Sequence, residues 1–473
     1  MQKADMENMK VKPISSVGTT CHVVAMPYPG RGHINPMINL CKLMSFKYPH
    51  IVVSLVVTEE WQSFLCSYIF PSNIRLNTIP NVIPSELVRA KDFPAFLEAV
   101  ATKMEAPFEQ FLDRLDLPVN AIIADTYLDW VIAVGNRRNI PVASLWTMSA
   151  TVLSIFHHFD LLVQNGHFPI MLSEREEERV DYIPGVPPTR LLDFPTIFNG
   201  TVGQILSLAL KSTSMVSKAQ YLLFTSAYEL EPSVIDALKL KFCFPLYPLG
   251  PMVPYFELKP NSNLSTSDDQ KVPEYLQWLN SQPKNSVLYV SMGSFLSVSS
   301  AQMNEIVAGV RNSGVRFLWV SRGERGLFED GCGDLGLVVP WCDQLRVLCH
   351  PSVGGFWTHC GWNSTLEAAF AGVPMLASPI FWDQTSNSKK IVEDWKIGWR
   401  VKQGVVGENL VTREEIAKLV QSFMDEENSE VIEMREKTKE VQEACQAAIS
   451  QHGSSDSNLD FFLRDISQVK AKY

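Results

Sequence analysis

The sequence predicts an α/β protein made of two doubly wound domains that face each other across a cleft. Short β-branched segments alternate with amphipathic stretches in both halves of the chain, as is typical of parallel strands covered on both faces by helices. A polar segment rich in Ser, Asn, Pro and Asp, residues 257–274, separates the halves. A chain of 473 residues is also too long for one hydrophobic core.

Four segments of the first half are expected to be central strands. They are CHVVAM from Cys21, IVVSLVV from Ile51, AIIA from Ala121 and PVASLW from Pro141. After the first strand, Asn35 and Pro36 are predicted to be the N-cap and the first residue of a helix. The alternation fails over residues 174–195, which are rich in charge and proline, and we interpret them as a surface excursion.

After the polar segment, the second half again alternates apolar strands with amphipathic stretches. Its expected strands are SVLYVSMGS, VRFLWVS, LGLVVP, VGGFWTH and PMLASP, with a helix from about Ser300. The predicted divisions are an N-terminal domain (1–252), a linker (253–274), a C-terminal domain (275–453) and a helical tail (454–473) that packs back toward the N-terminal domain. Parallel sheets bind ligands at the carboxyl ends of their strands, so the cleft is the expected site.

Composition restricts the class of partner. The net charge of −10 argues against non-specific binding to nucleic acid or to an anionic membrane. No apolar run is long enough to span a bilayer, and the first residues, MQKADMENMKVKP, lack the apolar core of a secretory signal. The nine cysteines are scattered without a C-x-x-C, which favours reduced thiols, a cytoplasmic location and no bound metal.

The most specific signal is a 44-residue segment from Trp341 to Gln384. It reads WCDQLRVLCHPSVGGFWTHCGWNSTLEAAFAGVPMLASPIFWDQ and resembles the signature segment of the plant UDP-dependent glycosyltransferases of small secondary metabolites. The likeness extends to G-H-I-N-P near the N-terminus, to L-G-P before the linker and to V-S-M-G-S after it. The segment starts W-C-D-Q where the family usually has W-A-P-Q, so a proline that fixes the loop is missing.

The resemblance implies a GT-B fold, with two Rossmann-like domains facing a cleft, the acceptor on the N-terminal domain and the UDP-sugar on the C-terminal domain. It implies UDP-glucose as co-substrate and no further cofactor. The chain has no D-x-D motif to hold a cation, so we expect no metal to be required. A helix N-terminus can instead meet the diphosphate charge, and Gly361, Asn363 and Ser364 stand at such a start, with His359 as a further donor.

The predicted donor-binding residues have distinct expected roles. By resemblance, Trp341 stacks on the uracil, while Gln344 and Glu367 hold the ribose. Residues 364–367 also fit a capping box, but the ribose role is favoured because a phosphate would already satisfy the helix N–H groups. The full set is Thr147, Ser294, Trp341, Cys342, Gln344, His359, Gly361, Trp362, Asn363, Ser364, Glu367, Asp383 and Gln384.

The sugar itself is expected to meet Asp383 and Gln384. A carboxylate and an amide together accept from and donate to vicinal hydroxyls, and Asp383 can hold the 3- and 4-hydroxyls together only when both are equatorial, as in glucose. The resemblance adds that Trp362 approaches the sugar with its backbone and that Thr147 contacts the 6-hydroxyl. It also associates a terminal Gln with glucose.

His33 is predicted to be the general base. It lies in a strand-to-helix loop, where the helix dipole favours the neutral imidazole that a base requires. Asp125 follows another strand that ends at the same edge of the sheet, and by resemblance it orients the imidazole. These two are the predicted catalytic residues. Four aromatic side chains are predicted to line an apolar acceptor pocket: Phe93, Trp130, Phe156 and Phe198.

The leading interpretation is a monomeric, inverting UDP-glucose transferase that forms β-O-glucosides of small apolar hydroxylated metabolites. The main alternative is the same mechanism with another UDP-sugar, such as xylose, galactose, rhamnose or glucuronic acid. A non-catalytic nucleotide-sugar-binding protein is an alternative of another class, but it has no need of His33 and Asp125 together. A dehydrogenase is excluded, because P-Y-P-G-R-G-H stands where G-x-G-x-x-G is required.

Overall fold

A computed structural model of the chain describes residues 21–200, 203–258, 272–293, 298–321, 335–402 and 410–468. The strands of the first half are β1 (Cys21–Met26), β2 (Ile51–Thr58), β3 (Ile74–Ile79), β4 (Ala121–Asp125), β5 (Val142–Trp146), β6 (Arg179–Val180), β7 (Thr189–Arg190), β8 (Tyr221–Phe224) and β9 (Leu246–Pro248). In the described part of this half, seven parallel strands form one sheet in the order β3-β2-β1-β4-β5-β8-β9, and β6 pairs antiparallel with β7.

The second half contains a second parallel sheet. Its strands are β10 (Val287–Ser291), β11 (Arg316–Val320), β12 (Gly336–Val339), β13 (Val353–Thr358), β14 (Met375–Ala377) and β15 (Gly398–Arg400). Over the described residues their order is β12-β11-β10-β13-β14-β15. Every residue of β1, β4, β5 and β13 is buried, because helices cover both faces of the sheets. The predicted pair of doubly wound α/β domains is therefore confirmed.

Helices connect the strands in both halves. Those before residue 258 are α1 (Arg31–Lys47), α2 (Glu59–Phe64), α3 (Phe93–Lys103), α4 (Glu105–Leu112), α5 (Asp129–Arg138), α6 (Ala150–His157), α7 (Phe159–Gln164), α8 (Leu172–Arg175), α9 (Gln204–Met215) and α10 (Pro232–Lys241). The later ones are α11 (Glu274–Asn280), α12 (Ser300–Asn312), α13 (Gln344–Leu348), α14 (Trp362–Ala371), α15 (Gln384–Lys389), α16 (Arg413–Met424), α17 (Ser429–Ile449) and α18 (Ser454–Gln468). A π-helical turn, Lys390–Asp394, continues α15, and short 3-10 turns include Glu86–Lys91 and Leu191–Asp193.

The start of α1 differs from the prediction. The helix begins at Arg31, and Gly30 takes the N-cap position with an extended backbone, so Asn35 is not the N-cap and Pro36 lies inside the helix. Proline has no N–H, so the carbonyl of Gly32, four residues earlier, lacks its usual helical donor. His33 therefore lies within the first turn of α1.

The interpretation of residues 174–195 as a surface excursion is wrong for their second part. Arg190, Leu191, Asp193 and Phe194 are all buried. Backbone and charged groups of this segment bond to the second domain, which supplies hydrogen-bond partners that sequence pattern cannot reveal.

The last helix returns to the first domain. Leu459, Phe462 and Leu463 of α18 join the apolar cluster that contains β1, β2 and α1. Lys47 at the end of α1 pairs with Asp456 at 2.6 Å. Among the described helices, none is long and apolar enough to cross a membrane. The described residues also contain no group of three or more His, Cys, Asp or Glu side chains placed to hold a metal ion.

Candidate active site

The carboxyl ends of both sheets open onto one cleft of about 1210 Å³. Loops after β1, β4 and β5 form one side, and loops after β10, β13 and β14 form the other. The predicted residues that line it are His33, Phe93, Thr147, Trp341, Cys342, Gln344, His359, Gly361, Trp362, Asn363, Ser364, Glu367, Asp383 and Gln384. Asp125 lies directly behind His33, and Ser294 lies outside the described residues.

His33 and Asp125 form a hydrogen-bonded pair on the N-terminal side of the cleft. Nδ1 of His33 donates to Oδ2 of Asp125 at 2.7 Å. Asp125 ends β4, is almost fully buried, and accepts the backbone N–H of Tyr127 on its other oxygen at 3.0 Å. Because the proton on Nδ1 points to the carboxylate, Nε2 is the nitrogen that remains to accept a proton.

Neighbouring side chains fix the plane of the imidazole. Thr147 follows β5, and its Oγ1 lies 2.9 Å from Nδ1 of His33. The ring of Tyr28 packs on the imidazole with centroids 4.9 Å apart, and Tyr127 meets it edge-on at 6.0 Å. Thr147 therefore lines the cleft, where the predicted sugar contact needs it, and also supports His33, which the sequence did not indicate.

The start of α14 lacks a side-chain cap. Gly361 is its N-cap residue and provides no side-chain cap for the first N–H groups. The imidazole of His359 lies against this start, since a Cβ atom on either Gly361 or Gly293 would come within 2.5 Å of Nε2. Gly293 also adopts a φ of +80°, which favours glycine. Free N–H groups, the helix dipole and an imidazole together suit a diphosphate.

Gln344 ties together the groups predicted to hold the ribose. Its Nε2 donates to Oγ of Ser364 at 3.0 Å and to Oε2 of Glu367 at 2.7 Å, while its Oε1 accepts from the hydroxyl of Tyr289 at 3.1 Å. The capping-box interpretation is wrong, because Ser364 lies inside α14 and Glu367 bonds to Gln344 instead of the backbone. Burial raises the pKa of Glu367 to about 7.

Asn363 crosses the cleft. Its Nδ2 donates at 2.9 Å to the carbonyl of Gly32, the carbonyl that Pro36 leaves without a helical donor. This hydrogen bond joins α1 of the first domain to α14 of the second, one residue away from His33. The residue predicted to bind phosphate thus also connects the two domains.

The loop Trp341–Gln344, which starts the 44-residue segment with W-C-D-Q, is held in place without a proline. Trp341 is 65% exposed at the rim of the cleft, as a stacking platform requires and a core residue does not. Cys342 is buried next to the hydroxyl of Tyr289, at 3.4 Å, and burial raises its thiol pKa to about 12. Asp343 caps α13 by accepting from the N–H of Arg346, so a cap holds the loop where the family has a proline.

Asp383 and Gln384 are not equivalent. Asp383 is buried and accepts from Nδ2 of Asn387 at 2.8 Å, and burial raises its pKa to about 6. Gln384 uses its Oε1 to accept the N–H groups of Ile380 and Phe381 at 2.8 and 3.0 Å. Its carbonyl therefore closes the loop, and only its NH2 group is left for a sugar hydroxyl.

Trp362 directs its indole away from the cleft. The ring packs 6.0 Å from that of Trp395 in an apolar cluster with Leu345 and Leu366. Trp362 is also the first residue of α14 and is among the residues that line the cleft.

The predicted acceptor pocket needs correction at three of its four residues. Trp130 is core, packed edge-on against Phe108 and donating its Nε1 to the carbonyl of Val100 at 3.2 Å. Phe156 and Phe198 are also core and pack on each other with ring centroids 5.1 Å apart. Their large apolar area stabilises the domain through burial, and sequence pattern alone does not separate that role from ligand contact.

Phe93 does line the cleft, together with aromatic residues that sequence reasoning missed. It meets Phe381 and Trp382 with ring centroids 6.1 and 6.2 Å apart, and Trp382 meets Tyr127 at 5.9 Å. Tyr28 extends this wall toward the general-base candidate. The signal available in the sequence was that Phe381 and Trp382 stand directly before the D-Q pair.

Comparison with known proteins decides the family. A family model described as UDP-glucoronosyl and UDP-glucosyl transferase matches residues 203–438. The chain is 54% identical over 450 residues to UDP-glycosyltransferase 87A2 of Arabidopsis thaliana, covering 95% of this chain and 97% of that protein. The chain belongs to the UDP-glycosyltransferase family. It is a glycosyltransferase, as the resemblance of its signature segment predicted.

Solved structures of similar proteins agree with the fold. UGT2 of Phytolacca americana, complexed with UDP-2fluoro-glucose and pterostilbene, has a TM-score of 0.78 at 28% identity and covers 95% of this chain and 100% of its own. UGT71G1 of Medicago truncatula, complexed with UDP-glucose, has a TM-score of 0.77 at 26% identity and covers 95% and 98%. The two Rossmann-like domains of this transferase form a GT-B fold.

Proposed function

We propose that this transferase is an inverting glucosyltransferase that moves glucose from UDP-glucose to a hydroxyl of a small apolar acceptor. The observation that carries the proposal is the His33–Asp125 pair, whose 2.7 Å hydrogen bond directs the base at the cleft. A protein that only binds nucleotide sugars has no use for an imidazole oriented by a buried carboxylate. The pair therefore favours catalysis over binding alone.

The proposed reaction proceeds in one displacement. Nε2 of His33 accepts the proton of the acceptor hydroxyl while the hydroxyl oxygen attacks the anomeric carbon of the sugar. The bond from that carbon to the diphosphate oxygen breaks, and UDP leaves from the opposite face. Attack from the face opposite UDP inverts the α-linked donor and gives a β-O-glucoside. Asp125 stabilises the imidazolium that forms at His33.

The leaving diphosphate gains negative charge, which the C-terminal domain can meet without a metal ion. The open N-terminus of α14 supplies backbone N–H groups and the helix dipole, and His359 lies beside it. Glu367 and Gln344 are placed to hold the ribose, and exposed Trp341 to stack on uracil.

Glucose is the proposed sugar. Buried Asp383 can accept from two equatorial hydroxyls together, and the NH2 group of Gln384 lies next to it. UGT2 of Phytolacca americana and UGT71G1 of Medicago truncatula, both similar in structure, are complexed with UDP-2fluoro-glucose and UDP-glucose. The same mechanism with xylose, galactose, rhamnose or glucuronic acid is the second candidate. We also propose that the enzyme works as a monomer in the cytoplasm.

The acceptor faces an aromatic wall. Phe93, Phe381, Trp382 and Tyr127 contribute rings from both domains within reach of His33. Such a wall suits a flat apolar molecule that carries a hydroxyl. The structurally similar UGT2 of Phytolacca americana is complexed with pterostilbene.

The test is transfer by the purified chain. It is incubated with UDP-glucose and a panel of phenols, terpenoid alcohols and hydroxylated hormones, and products are scored by mass gain of one hexose and by the anomeric configuration in NMR. We expect β-O-glucosides from the wild-type chain and about a hundredfold less product, or still less, from His33→Ala. Products with α configuration, or equal product from His33→Ala, would contradict the mechanism.

A further inference from the structure

The buried part of the excursion in the first domain bonds directly to the loop that carries the donor-sugar residues. We name residues 190–196 the clamp segment and residues 380–386 the donor loop. Asp193 and Thr196 of the clamp segment do not line the cleft, while most of the donor loop does. Any effect of the clamp segment on the donor must therefore act through the loop.

Thr196 holds both backbone polar groups of Trp382. The N–H of Trp382 donates to Oγ1 of Thr196 at 2.7 Å, and the N–H of Thr196 donates to the carbonyl of Trp382 at 2.8 Å. Trp382 has a φ of 61°, in the left-handed region that a bulky side chain rarely adopts. Such a conformation persists only where the surroundings impose it, and the two bonds from Thr196 do so.

Further contacts extend the same attachment. Oγ1 of Thr385 donates to the carbonyl of Phe194 at 2.6 Å, and Oγ of Ser386 donates to the carbonyl of Asp193 at 2.7 Å. The fully buried carboxylate of Asp193 accepts from Arg400 of the second domain at 2.7 Å. This charge-assisted hydrogen bond between Arg400 and Asp193 restricts the backbone of Asp193, whose carbonyl accepts from Ser386.

An ion-pair group completes the attachment. Arg190 donates to Asp193 at 2.8 Å and to Glu393 at 2.9 Å, and Arg400 also donates to Glu393, at 3.0 Å. Both guanidinium groups are nearly buried and each contacts carboxylates from both domains. The clamp segment is thereby fixed to β15 and to the π-helical turn that follows the donor loop.

We propose that Thr196 and Asp193 are positioning residues that set the direction of the Asp383 carboxylate toward the donor sugar. Asp383 directly follows Trp382, so a change in the backbone of Trp382 rotates the carboxylate away from the hydroxyls. From the second domain, Gln384 holds the N–H groups of Ile380 and Phe381, and Asn387 donates to the Asp383 carboxylate at 2.8 Å, but the backbone of Trp382 is held by Thr196. The first domain thus helps to hold the sugar that the second domain binds. This proposal rests on the proposed role of Asp383 in holding that sugar.

The decisive comparison is Thr196→Val against Thr196→Ser. Valine keeps the shape and removes the acceptor for Trp382, while serine keeps the hydroxyl. We expect Thr196→Val to raise the Kd of the best UDP-sugar by about threefold to tenfold, the effect of one lost hydrogen bond, and to leave the Kd of UDP within about twofold. Thr196→Ser is expected to retain the wild-type donor Kd. Isothermal titration calorimetry measures both ligands.

The matched control is Thr438→Val, which removes a buried hydroxyl that donates to the carbonyl of Met434 within α17, away from both the cleft and the clamp segment. It is expected to change neither Kd. An unchanged donor Kd in Thr196→Val, or equal weakening of UDP and UDP-sugar, would overturn the proposal. So would an equal loss in Thr196→Ser.

Asp383→Ala separates this proposal from the proposed function. The donor used is whichever UDP-sugar the wild-type chain transfers best, so the outcome does not depend on glucose. If Asp383→Ala leaves the donor Kd unchanged, the sugar role of Asp383 is wrong and the clamp proposal falls with it. If Asp383→Ala weakens the donor and Thr196→Val does not, only the clamp proposal is overturned.

Discussion

The two sides of the cleft satisfy their charged groups in different ways. On the N-terminal side, Asp125 accepts from His33 and from a backbone N–H, so the pair is complete within the protein. On the C-terminal side, the partly buried Glu367 and the buried Asp383 each accept from one side-chain amide. Burial raises the pKa of Glu367 to about 7 and that of Asp383 to about 6.

This difference separates two tasks. A general base must be oriented before the acceptor arrives, because a misdirected imidazole loses the geometry that catalysis depends on. A carboxylate that binds hydroxyls gains most from the ligand when the protein gives it few hydrogen-bond donors. The hydroxyls of the ligand then donate the hydrogen bonds that the carboxylate lacks in the free protein. We infer that the N-terminal side is preorganised for chemistry and the C-terminal side is completed by the donor.

The largest effect is expected from removing the base. His33→Ala should lower kcat by about 10²–10⁴-fold, the usual contribution of general-base catalysis, and leave the Kd of UDP unchanged, because UDP contacts are assigned to the other domain. Steady-state kinetics with an accepted acceptor and calorimetry with UDP measure the two quantities. Near-normal turnover would show that another group takes the proton. Lost UDP binding would show that the N-terminal side of the cleft also contributes to binding UDP.

A smaller effect is expected from Asp383 on the C-terminal side. Asp383→Asn keeps the shape and removes the charge, so kcat/KM for UDP-glucose should fall by about tenfold to a hundredfold, the scale of hydrogen bonds to a charged group. The advantage of UDP-glucose over UDP-galactose and UDP-xylose should shrink in the same variant. Competition assays at equal donor concentration decide this, and an unchanged preference would remove Asp383 from sugar recognition.

No effect is expected from a chelator. The free N–H groups of α14 and the imidazole of His359 replace the cation in the proposed site, so excess EDTA should leave kcat/KM unchanged. Lost activity that returns on addition of magnesium would contradict this use of the helix start. Desalted enzyme assayed with and without magnesium is the control.

Sequence predicted the fold, and most of the site residues that it predicted line the cleft, for physical reasons. Largely apolar strands such as β1 and β4 indicate a parallel sheet that is covered on both faces. Parallel sheets place their ligands at one edge, so the residues that follow each strand converge. The signature segment then predicted donor-binding residues one by one, and those among them that the structure describes line the cleft. Sequence could also identify the open helix start, because Gly361 precedes it.

Other features depend on tertiary contacts. The start of α1 was mispredicted because Asn363, 331 residues away along the chain, donates to the carbonyl that Pro36 leaves unpaired. Trp130 resembles a pocket residue in sequence, and its burial follows only from packing against α3 and α4. The attachment of Asp193 to Arg400 joins two domains and has no local sequence pattern.

The most direct test of the contrast between the two sides is the number of protons released when UDP-glucose binds. Sugar and ribose hydroxyls that donate to Glu367 and Asp383 favour their ionised forms, so binding lowers both pKa values and expels protons below pH 7. Affinity should therefore rise with pH through about 6 to 7 and level off above, where both carboxyls are already ionised.

Calorimetry at pH 6.5 in buffers of different ionisation enthalpy measures that number, and UDP-glucose itself has no phosphate group that titrates near this pH. We predict release of roughly one proton by the wild-type chain. His33→Ala should release the same number and Glu367→Gln clearly fewer. Binding without proton release, or a release that disappears in His33→Ala and persists in Glu367→Gln, would contradict the assignment of the carboxylates to the donor and of the preformed pair to the chemistry.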